Sequence, residues 1–192
     1  QDDEKRSQIF RATSLSKALN TVGLNLKVLG DQDLSYGVSG LKNILKNKQY
    51  EILATNATSD FPINFIKHKI LTFGKNKIFL LGVSSPNLFD NPKIKKFFKS
   101  PILSIQKEIK NIQKHGYQKS NKRHHLIIVS HSGMKEDEFY AKTFPQTTWI
   151  LGSHSQNFNQ KPHYIGNTRI TQMLSRNHYL GDLTFEKTAP SI

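Results

Sequence analysis

Two stretches decide the fold: His125-Leu-Ile-Ile-Val-Ser-His131-Ser-Gly133 and Ile150-Leu-Gly-Ser-His154-Ser-Gln156. Each is an apolar run, typical of a buried strand, that leads into a histidine within a turn of small residues. Ligands of α/β sheets bind at the carboxyl ends of the strands, so both histidines are predicted to lie where a site is built. One histidine after a strand is commonly structural, but two such turns together favour a metal site.

A third stretch, Val28-Leu-Gly30-Asp31-Gln32-Asp33, also runs from an apolar segment through a glycine to a side chain that can bind a metal. Together Asp31, His131 and His154 would supply one oxygen and two nitrogen ligands, a set that suits Zn²⁺ or Mn²⁺. Three residues so distant in sequence are easily assembled by chance, so this prediction needs support from the rest of the chain.

The composition narrows the classes of function. The chain has 192 residues, of which 36% are hydrophobic and 22% charged, as in a globular domain rather than a disordered chain. It contains no cysteine, which excludes disulfides, thiolate metal sites and a cysteine nucleophile. The net charge of +14 suits an anionic partner such as a nucleotide, although solvated lysine faces are the commoner cause of such a charge. The lysines lack interleaved aromatic residues, which disfavours specific binding of nucleic acid.

The sequence also bears on membrane-spanning and targeting segments. No apolar run approaches the roughly 20 residues that a membrane helix needs, so no transmembrane segment is predicted. The chain opens on Gln1 without an initiator methionine. We interpret this as a processed or incomplete N-terminus, from which an export signal could have been lost.

Apolar periodicity predicts alternating helices and strands. Residues 1–11 are expected to be a polar, loosely held lead-in. Helices are predicted near 12–22, 38–46 and 101–115, and short strands at 26–29, 50–54, 126–129 and 148–151. Hairpins are predicted over 63–83 and from 163–172 with 178–186, and the acidic run at Asp137 is expected to begin a surface helix. This pattern favours a layered α/β domain.

The helix predicted over 101–115 has the most regular pattern. Ser100 can cap it, and Pro101 suits its first turn. Its predicted buried stripe consists of Ile102, Ile105, Ile109 and Ile112. In the helix near 12–22, the residues that share one face are Leu15, Ala18, Leu19 and Val22.

The motifs, in their order, resemble the 5′-nucleotidase branch of the calcineurin-like metallophosphoesterases. Residues 18–33 resemble the family segment that ends in Gly-Asn-His-Glu. Val129-Ser-His131-Ser-Gly133 resembles the family's Leu-Ser-His-x-Gly, and Leu151-Gly-Ser-His154-Ser-Gln156 resembles its Gly-Gly-His-Ser-His. Asn56 resembles its strand-ending asparagine, and 166–183 resembles its closing hairpin.

The resemblance implies a metallophosphoesterase-type layered α/β sandwich with two metal ions that hold the phosphate and activate a water. It assigns Asp31, His131 and His154 to ligands of one ion, and it makes Asn56 a candidate for substrate binding. The family's opening Asp-x-His and Gly-Asp motifs are absent, so the first strands of the sheet are expected to be missing or completed elsewhere. An upstream segment or a protein partner would then cover the open strand edges.

Two further departures bear on catalysis. Gln32, beside Asp33, stands where the family has its catalytic histidine. An amide cannot donate a proton to a leaving group, and such general acid catalysis typically contributes about 10²–10⁴ in rate. Gln156 stands where the family has its last metal-binding histidine and would be a weak ligand. We therefore expect at most one divalent metal, Zn²⁺ or Mn²⁺, or none, and no confident catalytic residue.

These observations lead to three hypotheses for the domain at residues 12–192, which is expected to lack a C-terminal substrate domain. The first is a catalytically impaired 5′-nucleotidase-like pseudoenzyme that acts as a binding or scaffold module. The second is an active metal-dependent nucleotide phosphohydrolase whose first metal motifs lie upstream. The third is a basic module for nucleic acid or an anionic surface. The resemblance also implies the bacterial periplasm or cell envelope as its location.

Overall fold

The computed structural model describes residues 2–174 and 180–184, with side chains from Arg6 onward. Its helices are Asp2–Thr21 (α1), Asp31–Leu34 (α2), Gly37–Ile44 (α3), Pro92–Lys95 (α4), Pro101–Lys114 (α5) and Met134–Thr143 (α6). Its strands are Leu26–Lys27 (β1), Glu51–Ile52 (β2), His68–Phe73 (β3), Asn76–Ser84 (β4), His124–His131 (β5), Thr147–Gly152 (β6), His163–Ile165 (β7) and Thr168–Gln172 (β8). The predicted α/β class is confirmed.

The main sheet has six strands in the order β3-β4-β5-β6-β8-β7. Strands β4, β5, β6 and β8 run parallel, and the hairpin partners β3 and β7 are antiparallel at the two edges. In register, Ser84 pairs with His131, and Ser130 pairs with Gly152. The carboxyl ends of β4, β5 and β6 therefore lie side by side, as the placement of the two histidine turns predicted.

A second, two-stranded sheet pairs β1 with β2 in parallel. It packs closely on β4, because a Cβ built at Gly82 would lie 2.6 Å from the Leu53 Cγ and 2.7 Å from the Leu53 carbonyl oxygen. The Thr55 amide donates to the Gly82 carbonyl, and the Gly82 amide donates to the Thr55 hydroxyl. The segment after β1 lies at the same edge, since the Ser84 hydroxyl at the end of β4 donates to the Leu29 carbonyl two residues before Asp31.

Two separate hydrophobic clusters form the core. The first joins α3, α4 and the segments around β2, with Leu29, Leu41, Ile52, Phe61 and Phe98 among its buried members. The second joins α5 and α6 to the main sheet, with Phe79, Ile112, Leu126, Tyr140 and Ile150 among its buried members.

Helix α5 matches its prediction closely. Pro101 is its first residue, and Ile105, Ile109 and Ile112 are buried. Ser100 occupies the N-cap position, but its side chain makes no capping hydrogen bond. The apolar stripe is therefore what stabilises this helix, rather than the predicted cap.

Helix α1 differs from its prediction, because it begins at Asp2 instead of near residue 12. No glycine or proline interrupts residues 2–21, so nothing stops the helix from extending through the polar lead-in. Its packed face also differs. Ile9, Ala12 and Leu19 pack against the first hydrophobic cluster, whereas Leu15 and Val22 are 48% and 77% exposed.

The closing hairpin is shorter than predicted. Both of its strands, β7 and β8, lie within 163–172, and they turn at Gly166, whose φ is +57°. Residues 180–184 form no strand, and the remainder of the predicted second strand lies outside the described residues. The hairpin over 63–83 is confirmed, with β3 beginning at His68.

Candidate metal site

Asp31, His131 and His154 converge at the carboxyl end of the sheet, as predicted. His131 Nε2 lies 2.7 Å from Asp31 Oδ1, and His154 Nδ1 lies 3.5 Å from the same oxygen. The two imidazole rings are 5.3 Å apart and nearly perpendicular. One ligand atom from each residue falls within 4.8 Å of the others, which forms a possible three-residue metal site.

Gly30 makes the close approach of Asp31 and His131 possible. A Cβ at residue 30 would lie 2.7 Å from His131 Cε1 and 2.8 Å from His131 Nε2. Its φ of −103° is ordinary, so the glycine is required here by space and not by backbone conformation. The imidazole of His131 occupies the volume that a larger residue would fill.

Hydrogen bonds on the far side of His131 orient its ring. The Ser153 hydroxyl donates to the Ser130 carbonyl at 2.9 Å, so the Ser153 oxygen is free to accept from His131 Nδ1, also at 2.9 Å. Because the Ser153 oxygen accepts, the proton of His131 is assigned to Nδ1, and Nε2 faces Asp31. Outer hydrogen bonds of this kind orient histidine ligands in metal sites.

The turn that carries His154 has an unusual backbone. His154 has a φ of +81° and Gln156 a φ of +56°, both in the left-handed region that residues other than glycine rarely adopt. Both side chains are exposed. Such strain persists only where surrounding contacts hold it, and it is found often at functional sites.

The charge of Asp31 depends on the two histidines. Its partial burial acts to raise the pKa of its carboxyl group. The hydrogen bond with His131 and the positive charges of His131 and His154 outweigh burial, so the pKa is lowered overall.

Gln32 and Asp33 have different environments. Asp33 Oδ2 accepts from the Gly30 amide at 3.0 Å, and its Oδ1 accepts from Lys27 Nζ at 2.6 Å, so Asp33 holds the start of α2. Gln32 is exposed and borders two hollows. One, of about 340 Å³, is also lined by Asp31 and Asn91.

The second hollow at Gln32, of about 230 Å³, lies between α1 and the β1–α2 segment. Its lining includes two cationic side chains, those of Arg11 and Lys27, and the aromatic rings of Tyr36 and Tyr50. Gln32 therefore separates a hollow with metal-site residues from one with basic and aromatic residues.

Asn56 lies at the end of the segment after β2 and is only 1% exposed. Its amide nitrogen donates to the carbonyl groups of Ser84 and Lys99, and its oxygen accepts from the Ser84 amide. These contacts fix the end of β4 against the start of α5. The substrate-binding role of Asn56 stays a prediction, as does metal binding by Gln156.

Asp137 and Gln172 were not predicted as site residues. Asp137 was expected on a surface helix, but in α6 it is fully buried, and its Oδ2 accepts from Gln172 Nε2 at 3.1 Å. Burial raises the pKa of Asp137 to about 7, against the opposing effects of the Ser130 hydroxyl and the Gln172 amide. The Ser130 hydroxyl is near but does not reach normal hydrogen-bond geometry.

No family model matches the chain. Curated relatives do. The 5′-nucleotidase of Bos taurus is 24% identical over 159 residues, which are 78% of this chain and 27% of that protein. The snake venom 5′-nucleotidase of Gloydius brevicauda is 24% identical over 182 residues, covering 88% of this chain and 29% of that protein. The chain thus spans less than a third of the length of these relatives.

Solved structures show the same fold. The sulfate thiohydrolase SoxB of Thermus thermophilus superposes with a TM-score of 0.71 at 20% identity, covering 84% of this chain and 30% of that chain. The calcineurin-like phosphoesterase YfkN of Bacillus subtilis superposes with a TM-score of 0.62 at 15% identity, covering 91% and 61%. The chain therefore has the metallophosphoesterase fold. The curated relatives make the chain similar in sequence to 5′-nucleotidases.

Proposed function

We propose that the chain is a degenerate 5′-nucleotidase-like domain that binds one divalent metal ion and an anionic ligand, with catalysis impaired. The observation that carries this proposal is the convergence of Asp31, His131 and His154. Among the side chains that the structure describes, they are the one group of three or more His, Asp or Glu residues close enough to hold an ion. A second ion would need ligands from elsewhere.

The donor set fits Zn²⁺ or Mn²⁺, since it combines a carboxylate oxygen with two imidazole nitrogens. An ion held there would supply positive charge for a phosphate group. Gln32 borders the hollow beside Asp31, and its amide cannot act as a general acid. The residues around the site can therefore bind and orient a ligand, but they provide little help to a leaving group.

A nucleotide is the anionic ligand that this arrangement supports best. Its phosphate would lie by the three-residue site, within reach of the hollow next to Asp31. The neighbouring hollow has Arg11 for negative charge and Tyr36 for stacking with a base. Lys27 in the same hollow is paired with Asp33, and Tyr50 is buried.

Calorimetric titration with Zn²⁺ and Mn²⁺ tests the metal site. We expect one equivalent to bind the wild-type chain and none to bind a His131→Ala/His154→Ala variant of equal stability. Equal binding by both proteins would show that the ion sits elsewhere. A nucleotide-hydrolysis assay with either metal tests the impairment, and robust turnover would refute it.

One observation favours the alternative of an active phosphohydrolase completed by another segment. Within residues 2–174 and 180–184, β1 pairs with β2 alone, so its other edge is open to a strand from upstream or from a partner chain. A longer gene product with Asp-x-His and Gly-Asp motifs that binds two metal equivalents would support this alternative. The same product with one equivalent and no turnover would support the pseudoenzyme.

We further propose a location in the bacterial periplasm or cell envelope, in line with the likeness to a 5′-nucleotidase of snake venom. No described helix has the length and apolar character to cross a membrane. Fractionation of the source cells, followed by detection of the protein with an antibody, tests the location. Recovery in the cytoplasmic fraction would contradict it.

A further inference from the structure

The turn that carries His154 is anchored on both sides of that residue. Before it, the Ser153 carbonyl accepts from the Gly133 amide at 3.1 Å. After it, the Ser155 hydroxyl oxygen accepts from the Met134 amide at 2.9 Å. His154 itself therefore lies between two fixed residues, with a φ of +81°, and its Nδ1 lies 3.5 Å from Asp31 Oδ1.

The side chain of Gln172, at the end of β8, makes four hydrogen bonds at this turn. Its Oε1 accepts from the Ser155 hydroxyl at 2.9 Å and from the Asn157 amide at 3.3 Å. Its Nε2 donates to Asp137 at 3.1 Å and to the Ser153 carbonyl at 3.4 Å. One amide group therefore holds the residues immediately before and after His154.

The amide of Gln172 cannot rotate freely. The Asn157 amide can only donate and the Ser153 carbonyl can only accept, so Oε1 must face Asn157 and Nε2 must face Ser153. Both side chains are buried, at 0% exposure for Asp137 and 1% for Gln172. Gly152 leaves space for the carboxyl group, because a Cβ there would lie 2.0 Å from Asp137 Oδ2.

We propose that the Asp137–Gln172 pair is a positioning device that holds His154 in the orientation needed to complete the metal site. This inference rests on the proposed metal-binding function and deepens it. Neither residue contacts the ligand atoms of Asp31 or His131 in any described hydrogen bond. Their effect on the metal passes through the backbone and the Ser155 side chain of the His154 turn.

The test measures Zn²⁺ and Mn²⁺ affinity of the full chain in three variants. Gln172→Glu keeps the acceptor for Ser155 but loses the donor to Asp137, so we expect about 10–100-fold weaker binding. Asp137→Asn/Gln172→Glu exchanges donor and acceptor, and we expect it to recover most of the affinity. Thr168 lies on β8 like Gln172, and Thr168→Val removes its buried hydrogen bond to the Thr147 carbonyl of β6, so we expect this variant to lower stability but not affinity.

Unchanged affinity in Gln172→Glu would overturn the inference, and so would an equal loss in Thr168→Val. If the wild-type chain binds no metal, the proposed function fails, and the imidazole NMR signals of the metal-free proteins decide the inference alone. A shift of the His154 signal in Gln172→Glu, restored in the double variant and absent in Thr168→Val, supports the positioning role. An unmoved His154 signal contradicts it.

Discussion

At the scale of single residues, Gly30 gives the most direct control over the site. Gly30→Ala would place a methyl group 2.7 Å from His131 Cε1, while its φ of −103° allows alanine. The imidazole must then move away from Asp31. We expect metal affinity to fall about tenfold or more, by analogy with the loss of groups that orient a ligand.

Calorimetry on Gly30→Ala measures this loss, with Ser39→Ala on an exposed position of α3 as the control. Ser39→Ala should leave affinity unchanged. Equal affinity in both variants would mean that His131 is not confined by the space at Gly30.

Asp137 makes stability depend on pH. Its pKa in the folded protein is raised from 3.8 to about 7, so it favours folding most at low pH, and that contribution is lost as pH rises toward 7. Asp137→Asn cannot ionise. Its stability relative to wild type should therefore increase between pH 4 and pH 8, by on the order of 4 kcal/mol.

Urea unfolding of Asp137→Asn and wild type at several pH values checks the prediction. Glu136→Gln, at a neighbouring position of α6, provides the control and should show no comparable trend. A constant difference between Asp137→Asn and wild type across this range would mean that Asp137 titrates alike in the folded and unfolded chains.

The convergence of Asp31, His131 and His154 could be predicted from the sequence, because each follows an apolar segment, and the two histidines lie at strand ends in turns of small residues. Asp137 and Gln172 could not. An acidic run such as Glu136-Asp137-Glu138 normally faces solvent. The Asp137 carboxyl group is buried because Gly152, which has no side chain, leaves space for it in the folded chain. Hydrogen-bond partners 35 residues apart leave no local pattern.

At the scale of elements, α5 is held to the sheet by its isoleucine stripe. Ile112 is fully buried, whereas Leu103 on the same helix is 65% exposed. Ile112→Ala should therefore lower the free energy of unfolding by about 2–5 kcal/mol. Leu103→Ala should change it by roughly 0.5 kcal/mol or less.

Denaturant unfolding of the two variants provides the comparison, with the slope of each transition checked for equality. Similar losses in both would contradict the prediction, because alanine has the best helix propensity and only the loss of buried contacts distinguishes Ile112 from Leu103. Because Ser100 makes no capping bond, Ser100→Ala should be nearly neutral in the same experiment.

The elements that the sequence predicted best are those with a regular apolar period. Helix α5, strands β5 and β6 and the β3–β4 hairpin follow that rule. Helix α1 did not, because its apolar residues fit two overlapping faces, and the face chosen by packing contains Ile9, Ala12 and the buried Ser16. The Ser16 hydroxyl bonds with Tyr50, a tertiary contact that no periodicity reveals.

At the scale of the whole molecule, the net charge of +14 predicts a general attraction to polyanions. If this attraction is purely electrostatic, the affinity for a short DNA duplex should fall at least about tenfold between roughly 50 and 200 mM salt. Fluorescence anisotropy at several salt concentrations measures it. Affinity that persists at high salt would indicate specific contacts and would favour the hypothesis of a nucleic-acid module.

The two hydrophobic clusters have a consequence for how the protein opens. Asp31 belongs to the part packed around the first cluster, whereas His131 and His154 follow strands of the second. The two parts can loosen as separate cooperative units. An ion bound by all three ligands joins them, and at 100 times its dissociation constant it raises the cost of separation by about 2.7 kcal/mol. Native-state hydrogen exchange should show α3 amides slowing toward the rate of β5 when metal is added.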